Sequence, residues 1–282
     1  MKNKVLTGLL LVLIGGWGSL SAQSAGSNYS RQVNTLIGTK GVGLTSGYLY
    51  PGATYPYGMV QFTPSYFSKR SGFVINQLSG GGCEHMGNFP TFPVKGKLKM
   101  SPDNILNYRI NISEEKGHAG YYEAMVQEDI KAKLTVTERT GMASYEYPAD
   151  QQYGTVIIGG GISATPIEQA AIVITAPNKC EGYAEGGNFC GLRTPYKVYF
   201  VAEFDTDALE SGTWKRNELK PNTTFAEGEY SGVYFTFDVN KKKNIQYKIG
   251  VSYVSVENAR ENLKAENTGW DFLQIQNQAE SK

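Results

Sequence analysis

Apolar and polar residues alternate with a period of two along several stretches of this 282-residue chain. Ala132–Glu138, Met142–Tyr147, Lys197–Phe204, Val233–Val239 and Gln246–Val254 each read as a strand with one face toward a core, and each is bounded by Gly, Pro, Asn or Asp. Arg139-Thr-Gly141 between the first two predicts a short hairpin connection, with Gly141 supplying the positive φ such loops often need. Strand follows strand without intervening helical periods, the pattern of antiparallel sheets packed face to face. The predicted fold class is therefore all-β, a large antiparallel β-sandwich.

The period changes at Ser255. Val256–Glu266 is rich in helix formers and carries apolar Val256, Ala259 and Leu263 at helical spacing, with Ser255 as N-cap and Glu257 at the positive end of the helix dipole. Gly269-Trp-Asp-Phe272 follows, then Gln274–Lys282 as a polar tail. An amphipathic helix with a tryptophan just beyond it either docks on something outside the chain or folds back on the sandwich, and the residues leave both open. At the other end, Met1–Lys4, the apolar run Val5–Ile14 and the small-residue stretch Gly15–Ala25 have the three regions of a secretory signal, with cleavage after Ala22. The run is short of the roughly 20 residues of a spanning helix, so no membrane association is expected once the signal is removed. The expected organisation is residues 1–22 as signal peptide, 30–254 as one sandwich domain and 255–282 as a linker helix.

Charge narrows the function mainly by exclusion. With 27 Lys and Arg against 26 Asp and Glu the chain carries a net +1, which gives no field for nucleic acid. The 33 glycines and 19 tyrosines suit a turn-rich β protein with wet aromatic surfaces. Export permits disulfides, and the three cysteines are Cys83, Cys180 and Cys190. Cys180 and Cys190 flank what reads as a short loop and are the expected pair if any is bridged; the odd count leaves at least one thiol free.

Candidate chemistry gathers in two loops, Gly47–Pro64 (GYLYPGATYPYGMVQFTP) and Gln77–Pro93 (QLSGGGCEHMGNFPTFP). Gly80-Gly81-Gly82 permits backbone conformations and close approaches closed to other residues. Tyr48, Tyr50, Tyr55, Tyr57, Phe89 and Phe92 supply flat faces on which the C–H faces of sugar rings can stack, and the prolines stiffen both loops. Phe62 and Met59, in a strand-like stretch, are expected in the core. Glu84 is the one acid inside these loops, and His85 stands beside it. Asp205, Asp207, Glu114 and Glu115 read as solvated loop charges, and His118 as a turn residue. Two histidines exclude a histidine-rich zinc site, and Cys83-Glu84-His85 lacks zinc-ligand spacing. Gly159-Gly-Gly-Ile-Ser-Ala164 matches a dinucleotide fingerprint in letters only: Thr165-Pro166 follows where a helix should start, and Ala171–Ala176 reads as strand.

The two loops resemble the N-terminal domain of glycoside hydrolase family 92, the calcium-dependent exo-α-mannosidases. Further blocks resemble the family in order: Val33–Thr39, Gly120–Tyr122 with Leu134–Gly141, Gly182-Tyr183, Phe189–Gly191, Val198–Asp205 and Ser252–Ser255 with its helix. The resemblance runs from about Val33 to Phe272 and implies a β-sandwich that packs on a helical (α/α)-barrel domain, in cis or as a separate chain. It implies terminal α-mannose of glycans as substrate, removed with inversion, and calcium in the full-length enzyme. Acid, base and most calcium contacts belong to the helical domain, so no catalytic residue and no metal ligand is assigned here, and the chain alone is expected to lack catalysis. Tyr50, Glu84 and His85 are the expected substrate-side residues; binding of mannose-containing glycans without hydrolysis is the alternative. The chain departs from the family pattern at Asn76 and Gln77, where relatives often carry histidine before Leu-Ser-Gly, and at Ser65, often aspartate.

Overall fold

A computed structural model describes residues 29–39, 49–65, 72–103 and 111–282; the predicted signal segment and Tyr48 lie outside the described residues. A short 3-10 helix at Tyr29–Gln32 precedes the strands β1 (Ala53–Thr54), β2 (Gln61–Pro64), β3 (Phe73–Val74), β4 (Thr91–Lys95), β5 (Ile112–His118), β6 (Tyr121–Val126), β7 (Ile130–Val136) and β8 (Thr140–Glu146). There follow β9 (Tyr153–Gly159), β10 (Ile167–Ala176), β11 (Lys179–Phe189), β12 (Leu192–Phe204), β13 (Glu210–Lys215), β14 (Glu218–Pro221), β15 (Phe225–Glu227), β16 (Ser231–Asp238) and β17 (Asn244–Ser252). They form an eight-stranded sheet in the order β1-β2-β3-β4-β9-β16-β13-β14 and a nine-stranded sheet in the order β15-β10-β11-β12-β17-β8-β7-β6-β5. Neighbouring strands in both are antiparallel, and the predicted all-β sandwich is what forms.

The core lies between the sheets because each strand turns alternate residues inward. In β16 the inward side chains Phe235 and Phe237 meet Phe204 of the opposite sheet, both with ring centroids 5.0 Å away, and Phe73 stacks on Tyr145 at 6.3 Å. Such pairs add about 0.5–1.5 kcal/mol each beyond the area they bury. Polar groups also meet across this layer, as where Thr91 Oγ1 donates to the Tyr247 hydroxyl at 3.2 Å.

Gly141 departs from its expected role. The turn is Thr137–Arg139, closed by the Thr137 N–H donating to the Thr140 carbonyl at 2.8 Å, and Gly141 sits inside β8 opposite Val136 and Ile249 without a positive φ. The other sheet explains it: a Cβ here would lie 2.6 Å from Ile75 Cδ1 and 2.8 Å from Phe62 Cδ1. The Gly159–Gly161 run is a strand-to-strand turn as expected, with the Gly161 N–H donating to the Ser231 carbonyl at 2.9 Å and β10 following.

Two helices lie on the face of the nine-stranded sheet turned away from the core. The first, α1 (Val256–Glu266), starts where the Ser255 hydroxyl accepts the Asn258 N–H at 3.1 Å and buries Ala259 and Leu263 against Val201 of β12. The second, α2 (Phe272–Glu280), forms where the sequence reads as a polar tail. Asp271 caps it, accepting the Gln274 N–H at 3.0 Å, and Phe272 and Ile275 pack on Met142 with Tyr121 and Trp270 alongside. Its buried apolar positions, Phe272, Ile275 and Ala279, are spaced for one helical face, but Leu273 points off it to solvent and the rest are mostly Gln and Asn, so the stripe is too thin to read. Between the helices, the Lys248 ammonium donates to the Asn267 carbonyl at 3.0 Å and lies 4.4 Å from the Trp270 ring centroid.

Candidate functional site

The two glycine- and aromatic-rich loops come together because β2 and β3 are neighbours in the sheet and carry the loops on their ends. The Gln61 N–H donates to the Ile75 carbonyl at 3.0 Å, and the Tyr50 N–H to the Ser79 hydroxyl at 3.3 Å, which joins the first loop to the second. A pair of asparagines closes the neck of the second loop: the Asn88 N–H donates to Asn76 Oδ1 at 2.8 Å and Asn76 Nδ2 to Asn88 Oδ1 at 3.0 Å. Asn88 Oδ1 also accepts the Tyr196 hydroxyl at 2.9 Å, and Asn76 Nδ2 reaches the Tyr253 hydroxyl at 3.4 Å. Burial pushes Tyr196 up to about 12 and raises Tyr253 as well, so both phenols stay neutral at ordinary pH, Tyr196 donating to Asn88 and Tyr253 accepting from Asn76. Within this neck Met86 and Phe89 hold φ of 56° and 54°, a region costly for bulky side chains, so the loop's path is imposed by its contacts.

His85 is buried against the hairpin that joins β11 to β12. Its Nδ1 lies 3.4 Å from the Asn188 carbonyl oxygen, and its ring meets Phe189 edge-on at 5.0 Å and Tyr196 at 5.9 Å. The hairpin tip turns at Cys190 and Gly191, with φ of 53° and 85°, as a two-residue type I′ connection requires. A disulfide joins Cys83 to Cys190, with Cα atoms 5.5 Å apart. This overturns the expected Cys180–Cys190 pair. Residues 181–189, read as a loop, are the body of β11, and at about 3.3 Å of rise per residue Cys180 is some 30 Å from the tip. Cys180 faces the core, where burial pushes its thiol up.

The expected substrate-side residues are thus placed at one end of the sandwich with different exposures. Tyr50 is buried, so its ring is part of the loop's packing and not an open platform. Glu84 is half-buried between Cys83 and His85. Among the expected stacking aromatics, Phe89 and Phe92 are core residues, with Phe89 4.2 Å from Phe200, whereas Tyr57 is fully exposed and Tyr55 half-buried. Phe62 is in the core as expected; Met59 is exposed. Asn188, Phe189, Tyr196 and Tyr253 meet the loops from segments about 100 or more residues away, and Asn88, inside the second loop, gains its role only through Asn76 and Tyr196, so their roles are set by the fold. Asp205 is no solvated charge: its side chain is buried, paired with Lys242 Nζ at 2.8 Å and accepting the Gln246 N–H at 3.1 Å.

At the base of the first loop a groove of about 380 Å³ runs past Tyr55, Glu138, Asp271 and Gln274, walled by the Arg139–Glu266 ion pair. Among the described residues no three His, Cys, Asp or Glu side chains converge as a metal site, so these residues offer no carboxylate cage for the calcium implied by the resemblance. No helix among the described residues is long and apolar enough to cross a membrane.

Comparison with known proteins agrees with the loops. The chain is 25% identical over 290 aligned positions to an uncharacterized secreted glycosidase of Arthroderma benhamiae, covering 89% of this chain and 37% of that protein. A family GH92 α-mannosidase of Bacteroides thetaiotaomicron superposes with a TM-score of 0.76 at 24% identity, over 90% of this chain and 37% of that one. A family GH92 inverting mannosidase of the same species superposes at 0.74 with 23% identity, over 88% and 35%. The chain therefore spans little more than a third of the length of these relatives. Residues 32–252, most of the 282, match the model of the glycosyl hydrolase family 92 N-terminal domain, and with its strand order and paired loops this chain belongs to glycoside hydrolase family 92.

Proposed function

We propose that this chain is the glycan-facing β-sandwich of an exported, periplasmic or extracellular α-mannosidase, whose hydrolytic chemistry and calcium reside in a helical domain outside the chain. The observation that carries the reading is the family match over residues 32–252 on a chain that spans about a third of relatives described as mannosidases. A solved relative is described in complex with mannoimidazole, which supports mannose as the sugar class. The immediate surroundings of His85 are an amide carbonyl, Phe189 and Tyr196, groups that orient and stack on a sugar. Glycoside hydrolysis takes two carboxylates, roughly 6.5–9.5 Å apart for inversion, and Glu84 is the one acid in the loops. The roles assigned here are recognition for His85 and Glu84 and loop support for Tyr50.

The second reading, a module that binds mannose-containing glycans without hydrolysis, is favoured by the loops being pinned within this chain by the asparagine neck and the disulfide. Calorimetry with α-linked mannobioses, alongside an assay for released mannose, tests both. Release at enzymatic rates by the chain alone would show that the chemistry is not carried elsewhere. Binding without release, lost in His85→Ala, supports the module. Absence of both leaves the sandwich dependent on its helical partner, and an added helical domain should then restore mannose release.

A further inference from the structure

We propose that the Cys83–Cys190 disulfide is the positioning device for His85, so that the second loop is fit to receive a sugar only in the oxidised protein; the binding half of this rests on the reading above. The same two segments make both connections. Cys83 stands two residues before His85, and Cys190 directly follows Asn188 and Phe189, whose carbonyl and ring are what the imidazole touches. Those non-covalent contacts are slight: Nδ1 to Asn188 O is 3.4 Å, long for a hydrogen bond.

Besides the bridge, the loop tip is tied by the Tyr50 N–H donating to the Ser79 hydroxyl at 3.3 Å, and its far end by the Ala164 N–H donating to the Met86 carbonyl at 2.8 Å; the stretch that carries Cys83 and His85 lies between these two ties. Residues 78–80 are exposed, and Gly80 and Gly82 hold φ of 74° and 78°, conformations that glycine leaves readily. Nothing stands within 4 Å of where a Cβ on Gly82 would be, whereas one on Gly81 would rest on the Phe189 ring at 3.4 Å. The neck at Asn76 and Asn88 is independent of the bridge, so its loss frees a segment of about ten residues and leaves the sandwich intact.

Chemical access is one-sided. Cys190 is exposed at the hairpin tip and Cys83 half-buried, while Cys180 is a core thiol that takes no part. A dithiol reductant attacks the Cys190 sulfur as its thiolate, forming a mixed disulfide as the S–S bond breaks and Cys83 leaves as a thiolate that takes up a proton. The reductant's second thiol then closes its own disulfide, releasing Cys190, so two electrons pass to the protein. Formation runs in reverse, the two thiols giving two protons and two electrons to a disulfide-bearing oxidant.

The test uses the whole chain in three states: oxidised, reduced in place with dithiothreitol, and as Cys83→Ser/Cys190→Ser. With two histidines in the sequence, the His85 imidazole is assigned in NMR spectra by its loss in His85→Ala. We expect exchange of amides 78–87 to quicken by about tenfold or more on reduction while β7 is unchanged, and the His85 resonances to move toward free imidazole. Affinity for α-mannobiose should fall by a similar factor, and His85→Ala should cost nothing further once the bridge is gone. Unchanged loop exchange and unchanged His85 resonances in both bridge-free states would overturn the proposal. A loosened loop with unaltered affinity, or additive losses, would sever it from binding. If the oxidised chain binds no mannoside, the functional reading fails by itself while exchange and NMR still decide the positioning; if the variant does not fold, the protein reduced in place decides both.

Discussion

Arg31 and Glu280, 249 residues apart, are joined twice: Arg31 Nε donates to Glu280 Oε2 at 3.0 Å and Nη2 lies 2.8 Å from the same oxygen. The carboxylate is nearly sealed under α2, where Gln276 Nε2 donates to it at 2.7 Å and His118 Nε2 stands 3.5 Å away. Through this one group the first described segment, the β5–β6 hairpin and the last helix share a fastening.

Acid should undo that fastening. Burial pushes Glu280 up, but the hydrogen bonds of Gln276 and Arg31 and the charges of His118 and Arg31 outweigh it and hold the carboxyl below its ordinary range. A depressed folded value means that the contribution is complete above the carboxyl's unfolded pKa and is lost as pH falls through the folded one. Protection of the 272–280 amides, that is exchange relative to the intrinsic rate at each pH, should therefore fall between neutral and strongly acidic pH. Glu280→Gln should show little of that dependence and be less stable at neutral pH by about 1–3 kcal/mol. An unaltered acid response in Glu280→Gln would remove Glu280 from the account.

Lys248→Met should loosen the corner between the helices. Burial lowers the Lys248 ammonium against the opposing pull of Glu203, and the cation remains bound to the Asn267 carbonyl and the Trp270 ring. Methionine fills the volume but leaves the buried Asn267 carbonyl without its donor, while Glu203 keeps its hydrogen bond from Lys179 at 3.0 Å, so the loss should be about 1–3 kcal/mol. A red-shifted Trp270 emission with a lower denaturant midpoint is expected; an unmoved spectrum would mean the corner is held by apolar packing alone.

Gly141→Ala should act through the space between the sheets. The new methyl would press on Ile75 and Phe62, both fully enclosed, and overpacking of this kind costs about 1–3 kcal/mol. Pairing with Phe62→Leu should recover part of the loss, measurable in urea melts. Equal losses with and without that second change would point to backbone strain instead.

The contrast between Gly141 and the strand that holds it marks where sequence reading stops. The alternation in Met142–Tyr147 announces a strand because period two is a local property of the chain. The reason for a glycine one residue earlier lies in Ile75 and Phe62, which the sheet brings near only after folding. The same holds at the candidate site. The loops are legible from Gly80–Gly82 and their aromatics, whereas the burial of Phe89 and Phe92 is not, because exposure is not written in residue type. The bridge was mispaired because Glu181–Phe189, with its three glycines, looks like a loop although each glycine lies in β11. For α2, the stripe is only Phe272, Ile275 and Ala279, with Leu273 off it among amides, and its cap at Asp271 is visible only in the geometry.

Alkali should find the tyrosines unequal. Tyr145, Tyr147 and Tyr247 are enclosed in the core, and burial raises each far above the ordinary phenol. A folded pKa above the unfolded one gives stability that is full below the unfolded value and lost as pH rises toward the folded one. Phenolate absorbance should therefore show a late step, from these three rings, that coincides with loss of the β-sheet signal. A smooth titration of all tyrosines before unfolding would contradict the enclosed core.

The outer strand β5 slips register between Ser113 and Lys116, where Glu114 takes a φ of 52° and Glu115 accepts the Tyr122 hydroxyl at 2.8 Å. Two carboxylates and a lysine thus crowd a margin whose amides would otherwise lie in a straight row. That margin is spoiled as a template: an unfolded neighbour laid along it meets a kink and charge in place of a ladder, so growth of the nine-stranded sheet from chain to chain is hindered on this side.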